Sequence, residues 1–455
     1  MQRPCQLYKR VLFSDLFWLM ALCITFRLIY DAIVNPSIGY NADSATYWLA
    51  GIKLINGTVD AYRTPLYPLV LQLINQLGNN RVFENIVFFQ QLISYISIIP
   101  FYWLTTHLFS NKPISFAASL TYGCHPSMLI INYGIFADSL LISCFVFFLF
   151  TIDRFFQKPS GAKWLGLNVF AFFIVMLKPV SVILYPILFI MGLYLLKPFG
   201  TPHLSRLPLK SLLPGFLIGV ALLGGFVTLN KVQNDYPGIS TVTHDNRFAN
   251  VVLSRAYQTI ADEKLVSIID TARYYGHYYT IFYLNNDHQK YQQSFDAFPS
   301  QYKLNDNMLA VRQIPPNSLG YNRQNIEPLI KKAALTSLYI KYMYADLMLF
   351  SGDTHFYVKG GLLNMIIYIS FVILLYQGLF NKRIHPIRVI MFLLGTILLY
   401  TSIVGGIRDG TRERVLLPCF PFLVILFYDL VNESWKYLKP FLWKITNRRP
   451  PLKNL

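Results

Sequence analysis

Read from the N-terminus, the chain is a succession of apolar runs separated by short basic connections. A spanning helix needs about 20 mostly apolar residues, and on that criterion about ten are predicted. They fall near 11–33, 84–108, 113–131, 134–152, 163–178, 179–197, 209–230, 360–380, 386–404 and 415–432. The pairs within 113–152 and 163–197 are close-set, which leaves one of the two hairpins open to being re-entrant. The expected fold is an all-α polytopic membrane protein with about 10 transmembrane helices, interfacial helices in the first outer loop and a small outer domain. Its parts are an N-terminal transmembrane module over 1–230 that includes a first outer loop at 35–83, a large outer loop over 231–359, and C-terminal helices with a basic tail over 360–455. No internal repeat or low-complexity segment interrupts this order.

Composition agrees with lipid as the main solvent. Hydrophobic residues make up 54% of the 455 positions and charged ones 14%, too few to dress a water-facing surface. The net charge of +18 raises nucleic acid as a partner, but the placement of the charge excludes it. With the N-terminus inside, the inside connections carry Arg3, Lys9 and Arg10; Lys112; Arg154, Lys158 and Lys163; Lys197, Arg206 and Lys210; Lys382, Arg383 and Arg388. The tail adds Lys436, Lys439, Lys444, Arg448, Arg449 and Lys453. Every inside connection is positive, as the positive-inside rule requires, and the inverted topology would translocate all of these clusters. Asn35–Phe83, the loop from Lys231 to about Lys359 and the short Gly405–Arg414 connection then face outside. Cys5, Cys23, Cys124, Cys144 and Cys419 avoid the long polar loop and form no CxxC motif, so no disulfide framework is expected. The first apolar stretch carries Asp15, Arg27 and Asp31 without a small-residue cleavage site and reads as a retained helix.

The first outer loop holds the densest candidate chemistry. Asp43, Tyr47, Ala50 and Leu54 recur at helical spacing and share a face of a short helix that Gly57 ends. Pro65 opens a second helix, Leu66–Leu77, too short to span and expected to lie along the interface. Asp43 reads either as a helix N-cap or as a functional carboxylate, and Arg63 either as a headgroup contact or as a ligand for an anion. The Asn56-Gly57-Thr58 sequon matters only in a glycosylating compartment.

Polar residues within or beside the apolar runs add to the list. Asp138, near the outer end of the fourth helix, must face protein or water, and either pairs structurally with Arg27 or caps its helix, or serves function. Lys178, at the turn before Pro179, either snorkels to headgroups or contacts a ligand phosphate. Arg408, Arg412 and Arg414 form an outside cationic cluster against the positive-inside tendency, which an anionic ligand would explain; pairing with Asp409 and Glu413 is the alternative. A helical stretch is expected near 328–350. Tyr274, Tyr275, Tyr278, Tyr279 and Tyr283 suit the core of a small outer domain more than a sugar platform. His125 reads as a buried structural residue, and His244-Asp245 lacks metal-ligand spacing.

An acidic residue just after the first transmembrane helix, a Tyr four residues on, a helix ending in Asn-Gly, then Arg-x-Pro-Leu-Tyr-Pro resembles the GT-C superfamily of polyprenyl-phosphate-sugar-dependent glycosyltransferases. The branch it resembles holds the protein O-mannosyltransferases and the lipid A aminoarabinose transferases. The resemblance is strongest over 35–80, looser to about 190, and returns at 405–425. It implies an inverting transfer of a sugar from a polyprenyl-phosphate donor at the outer face of the membrane, here that of a bacterial inner membrane facing the periplasm. It implies catalytic roles for Asp43, as base, and Asp138. It implies substrate-binding roles for Tyr47, Arg63, Tyr67, Lys178, Arg408, Arg412 and Arg414, the last four around the donor phosphate. The acceptor is open between a protein, a lipid A-like glycolipid and a polysaccharide. A cationic clamp suffices for the leaving group, so no cofactor is required; a divalent ion held by Asp43, Asp60 and Asp138 is compatible but not indicated. A polysaccharide polymerase or ligase would place its key basic residues in the large loop, and a flippase or transporter would show inverted halves with broken helices at the midplane.

Overall fold

The structure, a computed structural model, describes residues 14–40, 42–78, 81–196, 208–242, 420–446, Lys332 and short stretches between 251 and 302. Everything described is helix, turn or loop apart from one isolated β-bridge. Among the described residues five helical runs, Asp15–Val34, Val82–Phe109, Lys112–Tyr133, Ala137–Gln157 and Leu209–Asn234, are long and apolar enough to cross a membrane, and the chain is an integral membrane protein. The predicted helices at 360–380 and 386–404, and that at 328–350 apart from Lys332, lie outside the described residues, as do Tyr274–Tyr283 and His244-Asp245.

Helix α1 (Asp15–Val34) starts where Ser14 Oγ accepts from Phe17 N at 3.2 Å and stops at Asn35, whose left-handed backbone returns its N–H to Asp31. Two short helices follow, α2 (Ala42–Ile55) and α3 (Leu66–Leu77). The turn between them begins at Gly57, at φ +81°, as expected for the residue that ends α2. Helix α3 buries Tyr67, Pro68, Leu71 and Gln72 and leaves Leu69, Leu73 and Leu77 exposed. The 28-residue α4 (Val82–Phe109) is the longest span.

The apolar run expected as one helix at 113–131 is broken in two. Helix α5 (Lys112–Cys124) and α6 (Pro126–Tyr133) meet at His125, which is extended, because the residue before a proline is pushed out of the helical region. His125 is half-buried and caps α6 by accepting from Ser127 N. The break leaves Gly123 O without its helical donor, and Arg27 of α1 supplies one, Nε to Gly123 O at 3.0 Å. Arg27 also donates to Ser94 Oγ at 3.2 Å and lies over the Tyr95 ring. This buried arginine therefore ties α1 to α4 and α5 and does not pair with Asp138.

Helix α7 (Ala137–Gln157) is the most enclosed span, with 67% of its apolar window buried against 17% for α1, so the core is built around it. Helix α8 (Gly161–Leu177) stops at the extended Lys178 before Pro179. The helix expected at 179–197 is a 3₁₀ turn, Pro179–Ile183, continued by α9 (Leu184–Leu196), and neither α8 nor Pro179–Leu193 reaches spanning length. Helix α10 (Leu209–Asn234) packs on α8 where Gly215 and Gly219 bring the backbones together. A Cβ at Gly215 would lie 2.7 Å from the Trp164 ring. Helix α11 (Phe420–Thr446) packs on α5 and α7, with Tyr428 bonded to Thr121 and Phe422 against Phe145.

Candidate active site

Two local pairings bring the first connection onto the end of the bundle where α7 begins. The first is the bridge between Gly39 and Gly134: Gly39 N donates to Tyr133 O at 2.9 Å and Ile135 N to Gly39 O at 2.8 Å. One turn into α2, Ser44 Oγ donates to Ile135 O. The bridge thus sets the N-terminus of α2, with Asp43, beside the segment leading to Asp138 in the first turn of α7. Gly134 is required here, since a Cβ would lie 2.3 Å from the Phe136 ring. The second pairing joins residues 57–62 to the far end of α10. Val59 N donates to Gln233 Oε1, Asn234 Nδ2 to Val59 O, Ser240 Oγ to Tyr62 O and Thr241 N to Ala61 O.

Asp43 is paired with Arg63, Nη2 to Oδ1 at 2.5 Å. Arg63 is buried, donates Nε to Thr46 Oγ1 at 2.8 Å, and lies over the rings of Tyr47 and Tyr62. These contacts replace the headgroup role, and the carboxylate of Asp43 reaches across 20 residues of sequence as well as standing in its helix's first turn. Asp60 builds the platform beneath: its Oδ1 accepts from Tyr62 N at 2.7 Å and Arg63 N at 3.1 Å, its Oδ2 from Lys53 Nζ at 2.9 Å. A carboxylate folded onto the amides two and three residues ahead is an Asx turn.

Tyr47 meets Tyr67 edge to face, ring centroids 4.9 Å apart. The Tyr67 hydroxyl donates to Gln90 Oε1, and Gln90 Nε2 donates to the carbonyls of Asn132 and Gly134, closing a network from α3 through α4 to the bridge. Burial holds the Tyr67 phenol well above its ordinary pKa, with Tyr47 and the Asp138 carboxylate adding to the effect. Asp138 is fully buried and bonded to Lys178 Nζ. The α3 helix packs on α8, and its Leu66 joins the apolar group that includes Val175 and Met176, close in sequence to that lysine. The side chains of Asp43, Tyr47, Arg63, Tyr67, Asp138 and Lys178, spread over 136 positions of sequence, thus gather at one end of the bundle through a run of linked contacts. Arg408, Arg412 and Arg414 lie outside the described residues.

Among the described residues no three His, Cys, Asp or Glu side chains group closely enough to hold a metal ion, and Asp60 is directed to Lys53 and backbone amides. Two participants escaped sequence reading. Gln90 could have been found as a polar residue within a long apolar span. Tyr302 could not: it stacks on Phe83, accepts from Phe83 N and donates to Glu84 from 219 and 218 residues away, within an aromatic group that includes Tyr40 and Phe298.

Residues 62–224 match the model of the dolichyl-phosphate-mannose-protein mannosyltransferase family, a glycosyltransferase family of the branch that the first outer loop resembles. The matched stretch includes Arg63, Tyr67, Asp138 and Lys178 and begins after Asp43 and Tyr47. Among solved structures, the chain is similar to the oligosaccharyltransferase AglB of Archaeoglobus fulgidus in complex with an inhibitory peptide and a dolichol-phosphate, at 14% identity and a TM-score of 0.45 over 97% of this chain and 53% of that one. The apo form of the Archaeoglobus fulgidus enzyme gives 12% identity and a TM-score of 0.46, over 96% of this chain and 53% of that one. The chain spans about half the length of these structures. No curated protein matches it.

Proposed function

We propose that this protein is an inverting glycosyltransferase that moves a sugar from a polyprenyl-phosphate donor to an acceptor at the outer face of the membrane. The observation that carries the reading is the convergence of two carboxylates, Asp43 and Asp138, each in the first turn of a helix and each beside a cation, at one end of a membrane bundle. The family match over 62–224 supports a glycosyl transfer, and the basic inside connections support an outward-facing site.

In this reading the acceptor attacks the anomeric carbon from the face opposite the phosphate. Asp43 takes the acceptor proton as the new bond forms, held in orientation by Arg63. The bond between the anomeric carbon and the phosphate oxygen breaks, and its electron pair leaves with the polyprenyl phosphate. Lys178, with Arg408, Arg412 and Arg414, stabilises that developing charge. Tyr47, beneath the Arg63 guanidinium, and Tyr67, edge to face with it, contact the substrate in this reading. Displacement from the opposite face inverts the anomeric configuration.

The test is to incubate membranes containing the protein with polyprenyl-phosphate donors carrying different radiolabelled sugars and to follow label into lipid, polysaccharide and protein fractions. Label should move from one donor in wild-type membranes and stay with it when Asp43 is Asn. Equal transfer in membranes lacking the protein would defeat the assignment.

A further inference from the structure

Lys178 carries three N–H donors. One is bonded to Asp138, and among the described residues its ammonium has no other acceptor. The lysine side chain is 17% exposed whereas the Asp138 side chain is 1% exposed, so the lysine is the more accessible member of the pair. Three residues on, in the 3₁₀ turn, Ser181 Oγ is buried with no hydrogen-bond partner. Asp138 meanwhile stands in the first turn of α7, where the helix's terminal amides favour a negative charge. The carboxylate can therefore lose its hold on the lysine without becoming an uncompensated buried charge.

We propose that Asp138 competes with the lipid phosphate for Lys178 and so drives release of the polyprenyl phosphate after transfer. This rests on the functional reading given above and assigns Asp138 a role in the departure of product. The donor is a phosphodiester with one negative charge. Cleavage yields a phosphate monoester, which carries about 1.5–2 negative charges near neutral pH. A fixed carboxylate sharing the same lysine repels the product more than the donor. Its return to Lys178 displaces the product while leaving donor binding less affected. No covalent bond changes in this step; one anion replaces another on the ammonium.

The experiment is direct binding of a short-chain polyprenyl monophosphate, and of its methyl phosphodiester as a stand-in for the donor's charge, to the purified full chain in nanodiscs. Asp138→Asn should bind the monophosphate on the order of tenfold more tightly than wild type, with slower dissociation, and should gain less for the methyl diester. Lys178→Met should lose most of the affinity, and the double variant should match Lys178→Met. Asp138→Ser, which also removes the charge, should show the same sign and serves if the amide variant does not fold. Unchanged or weaker monophosphate binding in the folded Asp138 variants overturns the proposal while leaving the glycosyltransferase reading intact. Equal gains for monoester and diester overturn the product-release role. Wild-type protein that binds neither lipid phosphate counts against the functional reading itself and removes the inference with it.

Discussion

Removing the carboxylate of Asp60 should loosen the platform that holds Arg63 against Asp43. In Asp60→Ala the amides of Tyr62 and Arg63 lose their acceptor, and the second of these is buried. An unpaired buried amide costs about 1–3 kcal/mol. The Lys53 arm is one-third exposed on the lysine side, so its contribution is discounted to about 0–1 kcal/mol. Taking the lower half of these ranges, because a loop relaxes, the local loss is about 2 kcal/mol, or roughly 30-fold in local opening. Hydrogen exchange reads this at Thr241 N, bonded to Ala61 O, and at Val59 N, bonded to Gln233. Both amides should exchange roughly 30-fold faster in Asp60→Ala, and transfer activity should fall with them. Asp60→Asn keeps an oxygen for both amides and gives up only the charge facing Lys53, so its loss should stay within about 1 kcal/mol. If Ala and Asn behave alike, or neither changes exchange, Asp60 does not organise the loop.

Arg63→Lys should lower transfer by at least about tenfold with little loss of stability, because an ammonium cannot direct separate bonds to Asp43 and Thr46 while lying flat on Tyr47; rates in reconstituted membranes check it. Gly134→Ala should disturb the Gly39 bridge through the 2.3 Å approach to Phe136 and lower thermal stability by about 1–3 kcal/mol, read by thermal unfolding in detergent. Loss of charge at Lys178 or Arg412 should impair use of donor far more than use of acceptor, and unchanged donor kinetics in both variants would remove the phosphate-clamp assignment. Impermeant cysteine reagents should reach residues 41–64, 240–320 and 405–412 from outside and 154–163, 382–388 and the tail from inside; reagent reaching position 43 but not 408 would split the site.

Much of the bundle was legible because lipid imposes a simple length and hydropathy rule: Val82–Phe109, Ala137–Gln157 and Leu209–Asn234 lie close to the predicted runs. The two short helices of the first connection were legible too, from the helical recurrence at Asp43 and Tyr47 and the stops at Gly57 and Pro65. The run expected at 113–131 also stands as a span-length stretch, Lys112–Tyr133, but the rule gave no sign that its backbone breaks at His125-Pro126. Pairing of Asp138 with Arg27 was one of the alternatives the charges left open; the helix break gives Arg27 a carbonyl instead. Non-local contacts left no mark in spacing. The Gly39–Gly134 bridge, the Lys178–Asp138 pair and the seat of Tyr302 on Phe83 join positions with no periodic relation, and only the assembled bundle brings them together.

In the proposed mechanism Asp43 takes the acceptor's proton during sugar transfer. Its most direct test is the transfer rate of purified Asp43→Asn beside wild type, with matched thermal unfolding to show that both are folded. Amide substitution keeps the shape of the side chain and removes its basicity. Transfer should fall below about a tenth of wild type, a barrier increase above roughly 1.4 kcal/mol, with polyprenyl-phosphate binding retained. A folded Asp43→Asn protein that transfers sugar at more than that tenth would contradict it.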